Sequence, residues 1–169
     1  SIVDIAVENG LKKVFLIETS YSGIIEAYQN LSKEGIKLFF GLMLPCLEDN
    51  NQKDAESLNA QHKISIVSKN NKGEDALRRI YTDAATNGFY YTPRISLKFL
   101  RDIWNDNLEL WIPFYDSFVH ENTINGRNIV PEFGKIKIHY LWEDNYLPID
   151  TLIQESLVNK ERLIRSKTI

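Results

Sequence analysis

The chain has 169 residues, 43% of them hydrophobic and 25% charged, with a formal net charge of −3; that balance predicts one soluble globular unit over residues 1–169 with enough chain to bury a sizeable core. The charge leaves no broad attraction for nucleic acid or an anionic membrane, so any such contact must be local. A lone cysteine, Cys46, excludes an intrachain disulfide or a cysteine-based zinc site and makes a reducing cytoplasm the expected compartment, and no apolar run reaches the roughly 18 residues of a membrane span, nor do the first residues form a signal peptide.

Ser1 and Asp4 have the spacing of a capping box ahead of Ile2, Ile5, Ala6 and Val7, which predicts a helix over residues 2–8, stopped at Asn9-Gly10. A chain that opens on a helix cap predicts a strand before it, outside the 169 residues. Residues 14–17 are four consecutive apolar side chains and read as a strand buried on both faces. A helix from about residue 23 to 33 places Ile24, Ala27, Tyr28 and Leu31 on one face, Gly35 ends it, and Leu38-Phe39-Phe40 forms the next strand. Residues 13–44 thus carry the signature of a βαβ unit with a buried parallel sheet. In such units ligands sit past the carboxyl ends of the strands, here Ile17-Glu18-Thr19 and Gly41-Leu42-Met43.

Residues 45–61 are the most polar segment and read as an exposed loop. Residues 63–67 alternate apolar and polar positions, which predicts a strand toward a sheet edge. A helix over 70–86 turns Ala76, Leu77, Ile80 and Ala84 inward, Asn87-Gly88 closes it, and residues 89–94 cross back in extended form, because the residue before Pro93 avoids the α region. Ser96 caps a short helix carrying Leu97, Phe99, Leu100 and Ile103. Residues 108–112 form a strand ended by Pro113, residues 120–130 are turn-rich around Asn125-Gly126, and residues 136–142 form another strand. Asp150 caps a helix over 152–158, and residues 164–169 start a last strand. Strand then helix, about five times over, predicts an α/β sheet or barrel.

Chemical motifs are sparse. There is no Walker loop, no G-x-G-x-x-G and no G-x-S-x-G. Glu18 at a strand end reads as a solvated carboxylate before it reads as a ligand, and His62, after a polar loop, as a surface or hydrogen-bonded histidine. His120 and His139 lack a companion at the spacing of a metal pair. The pairs Glu48-Asp49 and Glu143-Asp144 could hold magnesium, but adjacent acids point different ways on a strand and usually mark polar loops. Phe89, Tyr90 and Tyr91 with Arg94 behind them could stack on single-stranded bases, or simply pack a crossover against the body. Lys160, Arg162 and Arg165, within the basic stretch 160–167, suit a DNA backbone or an acidic partner, and equally the dipole of a helix C-terminus.

Two blocks carry a family resemblance. LKKVFLIETSYSGIIEAYQNLSKEGIKLFFGLML resembles the heart of the PHP (polymerase and histidinol phosphatase) domain that opens the alpha subunit of bacterial C-family replicative DNA polymerases. HKISIVSKNNKGEDALRRIYTDA-TNGFYYTPRISLKFL, with Ala85 skipped, resembles that family's His-led strand followed by K-N-N-x-G, a helix and G-F-Y-Y-x-P-R-I. The second is the more specific, because F-Y-Y-x-P-R at that distance from K-N-N-x-G has no generic structural explanation. Beyond Leu100, LELWIPFYDSFVHENTI and HYLWEDNYLPIDTLIQESL resemble phage-encoded versions. The resemblance implies a distorted (β/α)7 barrel, incomplete at one or both ends, whose strand ends converge on a metal cleft; fold membership alone does not imply activity.

Active members of the family bind several metal ions through His, Asp and Glu at the strand ends, since clustered metals must activate a water and neutralise a phosphoester together. Set against that pattern, the family's H-x-H falls before Ser1, and its T-D-H falls on Leu16-Ile17-Glu18 or Ile17-Glu18-Thr19. Its G-x-E is Gly41-Leu42-Met43, where a thioether replaces the carboxylate. His62 matches a family histidine. An expected Cys or His falls within Phe114-Tyr115-Asp116, an expected His on Asn145 or a neighbour, and the D-x-H of the last strand beyond Ile169. The resemblance therefore implies no catalytic residue and no cofactor, with Glu18 and His62 as remnants of a metal site.

The function implied is a non-catalytic PHP domain of a C-family-like replicative polymerase. It braces the polymerase body and docks a proofreading exonuclease, as inactive family versions do, while nucleotidyl transfer belongs to a domain this chain lacks. Tyr90, Tyr91, Arg94, Lys160, Arg162 and Arg165 are its candidate DNA or partner contacts. Two alternatives stay open. One is a metal-dependent phosphoesterase or 3′–5′ exonuclease holding zinc or manganese with ligands from outside residues 1–169. The other is a free-standing phage accessory protein that borrows the fold to bind a host factor.

Overall fold

The computed structural model describes residues 1–60 and 62–166. Helix α1 (Ile2–Glu8) begins with the expected reciprocal cap between Ser1 and Asp4. Strand β1 (Lys13–Glu18), helix α2 (Ile24–Lys33) and strand β2 (Lys37–Leu47) follow. Gly35, at φ +67°, supplies the left-handed turn between α2 and β2. β1 and β2 pair in parallel from Lys13 with Lys37 to Glu18 with Leu42, as the βαβ pattern requires.

After the short helix α3 (Ala55–Asn59), strand β3 (His62–Ser68) runs antiparallel to β2 on one side and to β5 (Leu108–Ile112) on the other. Helix α4 (Asn71–Thr86), the two-residue strand β4 (Ile95–Ser96) and helix α5 (Leu97–Ile103) lie between β3 and β5. Helix α6 (Phe118–Asn125), strand β6 (Ile138–Trp142), helix α7 (Pro148–Leu157) and strand β7 (Leu163–Arg165) complete the described chain. The sheet order is β1-β2-β3-β5-β6-β7, β4 joins the far end of β2, and β5, β6 and β7 are mutually parallel.

The helices pack on one face. Phe40, Leu42 and Leu44 of β2, Ile64 and Ile66 of β3 and Leu110 of β5 form one buried cluster with Leu77 and Ile80 of α4, Phe118 of α6 and Ile153 of α7. Each such side chain contributes about 1.5–3 kcal/mol by leaving water. On the opposite face Val67, Trp111 and Leu141 form a second cluster, against which Ile17 and Ile164 pack. Phe15 of β1 and Trp111 of β5 are separated in the sheet by β2 and β3, yet their ring centroids are 5.1 Å apart. The sheet is therefore curled into a half-barrel, an incomplete form of the barrel the resemblance implies.

Several sequence expectations need correction. β1 is an edge strand among the described residues, with Phe15 47% exposed, and is not buried on both faces. β3 is central rather than an edge; Ser65 and Ser68 are small enough to bury, so polarity did not mean exposure. The polar segment 45–61 contains the end of β2 and all of α3, with Asn50 and Ser57 buried; Gln61 lies outside the described residues. The turn-rich 120–130 segment is mostly α6, ended by Gly126 at φ +60°. The strand placed at 136–142 begins at Ile138, and α7 starts at Pro148 with Asp150 in its first turn rather than as its N-cap residue. Residues 89–94 are not simply extended, because Tyr91 has φ +62° and the Tyr90 amide donates to the Thr92 carbonyl at 3.1 Å. The strand expected over 164–169 spans Leu163–Arg165, and residues 167–169 lie outside the described residues. No described helix is long and apolar enough to cross a membrane.

Candidate functional site at the strand ends

Side chains alternate along a strand, so register decides what faces the inside of the half-barrel. Gly41, Met43, Ser65, Val67 and Trp111 lie on the helix-free face with Ile17, and His139 registers with Trp111 on β6. Most of that lining is apolar and much of it buried. Gly41 is required there, since a Cβ would lie 2.9 Å from Val67 Cγ2 and 3.0 Å from the Ile66 carbonyl oxygen. Met43 takes the position where the resemblance implies a carboxylate, and its register partner Ser65 is wholly buried with a hydroxyl that finds no partner.

Glu18 ends β1 on the opposite, helix-bearing face and is exposed. It registers with Leu42, whereas His62 registers with Cys46, four residues or roughly 13 Å further along β2. The two candidate remnants are not brought together.

His62 is 8% exposed, and its Nδ1 has no hydrogen-bond partner. It lines a cleft of about 510 Å³ with Lys63, Asp116, Glu121 and Arg127. Burial lowers the His62 pKa, Glu121 raises it and Arg127 lowers it further. Lys63 Nζ pairs with Asp116 Oδ2 at 2.7 Å, and the Asp116 amide donates to His120 Nδ1 at 3.3 Å. Cys46, opposite His62, has its thiol pushed up to about 12 by burial, so it is neither a nucleophile nor a ready metal ligand at neutral pH. Among the described residues no three of His, Cys, Asp and Glu converge to hold a metal ion, so the donors present do not fit a clustered-metal centre.

A polar knot that the sequence did not announce lies beside this cleft. The Tyr115 hydroxyl donates to Asp150 Oδ1 at 2.6 Å and accepts from Asn145 Nδ2 at 3.0 Å. The same amide donates to Glu143 Oε2 at 3.0 Å, and Asp150 Oδ2 accepts from the amides of Asn145 and Leu147 at 2.8 and 3.2 Å. Burial pushes the Asp150 carboxyl up, but these hydrogen bonds outweigh it and hold the carboxyl below its usual range. Tyr115 lies within the Phe114-Tyr115-Asp116 stretch, and Asn145 at or beside the position, where the resemblance implies metal ligands, and here the two bond to each other. The signal in the sequence was only the spacing of Tyr115, Asn145 and Asp150, which acquires meaning once β5 and β6 are neighbours.

The other candidate contacts do not form one surface. Arg94 is wholly buried. Its Nε donates to the Gly88 carbonyl, Nη1 to Ser57 Oγ, and Nη2 to the carbonyls of Asn50 and Gln52, with the Tyr90 ring 5.1 Å away. It is therefore a fastener of the 48–57 segment and offers nothing to a phosphate in this arrangement. Tyr91 is 76% exposed and lies near β4, whereas Lys160, Arg162 and Arg165 are exposed around β7, with β3, β5 and β6 between. Lys160 Nζ sits 5.7 Å over the Tyr140 ring; Lys167, of the same basic stretch, lies outside the described residues.

The fold is a half-barrel with its helices on one face of the sheet and a cleft at the strand ends beside His62. The family model described as the PHP domain matches residues 1–144, and this chain belongs to the PHP domain family. It is similar to DNA polymerase III subunit alpha of two Helicobacter pylori strains, J99 and 26695, with 33% and 32% identity over 96 residues, 56% of this chain in each case. The aligned stretch is 8% of the length of each of those relatives.

Proposed function

We propose that the chain is the PHP portion of a C-family-like replicative polymerase and that it does not hydrolyse phosphoesters, serving as a scaffold for the polymerase body and a docking site for a proofreading exonuclease. The observation that carries this reading is what occupies the ligand positions. Met43 stands on the barrel-interior face, and Tyr115 and Asn145 are hydrogen-bonded to each other. Phosphoester hydrolysis through clustered metals needs several convergent anionic or imidazole donors, and Glu18 and His62 are too far apart to begin such a set. The relation to DNA polymerase III subunit alpha supports the polymerase setting.

The test is elemental analysis of protein purified without chelator and then offered manganese and zinc, with an assay on single-stranded DNA. The expected result is no stoichiometric metal and no hydrolysis. Stoichiometric metal, lost in Glu18→Ala and His62→Ala together with cleavage, would overturn the reading. A pull-down with a separately produced proofreading exonuclease tests the docking half.

One observation favours a second reading. The unpartnered Nδ1 of buried His62 is an available ligand atom, and a metal-dependent phosphoesterase completed by donors outside these residues would use it. The same metal analysis, made on the longest natural form of the protein, separates the two.

A further inference from the structure

At the end of the sheet where β2 begins, away from the cleft around His62, a groove of about 870 Å³ opens between α2 and α4. Its floor is Leu38 and Phe40 of β2, and its α2 wall exposes Ile25 (71%) and Tyr28 (59%). Four cations line it, Lys37, Lys69, Lys72 and Arg78, against one carboxylate, Glu74. That carboxylate is engaged by the Ser68 hydroxyl at 3.0 Å and by Arg78 at 3.6 Å. In a chain of net charge −3 this is a local reversal of sign beside exposed apolar side chains.

We propose that this groove docks an acidic amphipathic helix of a partner protein, with apolar side chains on Ile25 and Tyr28 and carboxylates facing Lys69, Lys72 and Lys37. Two helical walls over an apolar floor suit a helix laid between them, and cations at the rim steer an acidic partner and reject a basic one. Single-stranded nucleic acid fits less well. The Phe39 ring is stacked on Phe15 at 4.9 Å and covered by Lys37 Nζ at 4.7 Å, so it presents no open face to a base. The docking rests on the groove's shape and charge and holds whether or not the strand-end cleft binds metal.

The experiment is selection of a random peptide library displayed on phage against the intact chain, followed by fluorescence anisotropy with synthetic copies of the enriched peptides. Enrichment of Asp and Glu, with large apolar residues three or four apart, is expected. Binding should weaken with salt and fall roughly tenfold in Lys69→Glu/Lys72→Glu and in Ile25→Ser, since both the steering charge and the apolar anchor are removed. These positions are exposed, and matching thermal melts verify that the variants fold. Hydrogen exchange with peptide bound should protect α2 and α4. Peptides without acidic bias, protection elsewhere, or equal binding to both variants would overturn the proposal. So would an oligodeoxythymidine that binds the chain more tightly than the peptides and is lost in the lysine variant, which would make the groove a nucleic-acid site.

Discussion

Arg94 is the residue whose role changed most between chain and structure. Its guanidinium fork ties the carbonyls of Asn50 and Gln52, within the 48–57 segment, to that of Gly88 after α4, a geometry that one ammonium cannot reproduce. Arg94→Met should cost about 3–5 kcal/mol, because the buried carbonyls of Gly88 and Asn50 lose their donor, and Arg94→Lys should recover little of it; urea unfolding monitored by tryptophan fluorescence reads both. His62 makes a different prediction. Burial lowers its pKa, so the folded state favours neutral imidazole while the unfolded chain takes a proton near its ordinary value of about 6.5. Its stabilising contribution is complete above that value and declines as pH falls toward the lower folded pKa. The stability lost between neutral pH and pH ~5 should be smaller in His62→Gln than in the parent. Equal slopes in paired denaturant titrations would refute that account.

Helix α4 shows how an element is positioned by what it lacks. A Cβ on Gly73 would lie 2.2 Å from the Asn107 carbonyl oxygen, which also accepts the Lys69 amide at 3.0 Å. Alanine is the better helix former by about 1 kcal/mol, but here it must push α4 from the turn before β5. Gly73→Ala should therefore destabilise by a net ~1–3 kcal/mol, and a gain in thermal midpoint would show that the turn yields freely. Elements with strong local signals were legible in the chain: the Ser1 and Asp4 cap, the inward stripe of α4, and the apolar run of β5. Residues 120–130 and the position of β3 were not. Asn125-Gly126 reads the same whether it closes a helix or a hairpin, and serines disguise a central strand as an edge.

For the whole molecule, the curled sheet sets Phe15 against Trp111 and fills much of the barrel interior with side chains rather than donors. A ligand that binds only the folded state raises its stability by RT ln(1 + [L]/Kd), about 2.7 kcal/mol at a hundredfold excess over Kd. Manganese or zinc in excess should leave the melting midpoint of this chain unchanged, and chelator should do the same. A midpoint that rises with zinc and returns with chelator would place a tight site in the fold and count against the scaffold reading.

The chain by itself determined its family and its alternation of strands and helices, because hydrophobic period, caps and the F-Y-Y-x-P-R motif are local and survive without neighbours. It also revealed that Met43 stands where a carboxylate is implied. Only the tertiary structure decided that β3 reverses direction, that Glu18 and His62 lie on register rows four residues apart, that Arg94 is interior, and that Tyr115, Asn145 and Asp150 form one hydrogen-bonded knot. Each of these depends on which strands lie side by side. That pairing is settled by burial summed over the whole sheet, which no local run of residues contains.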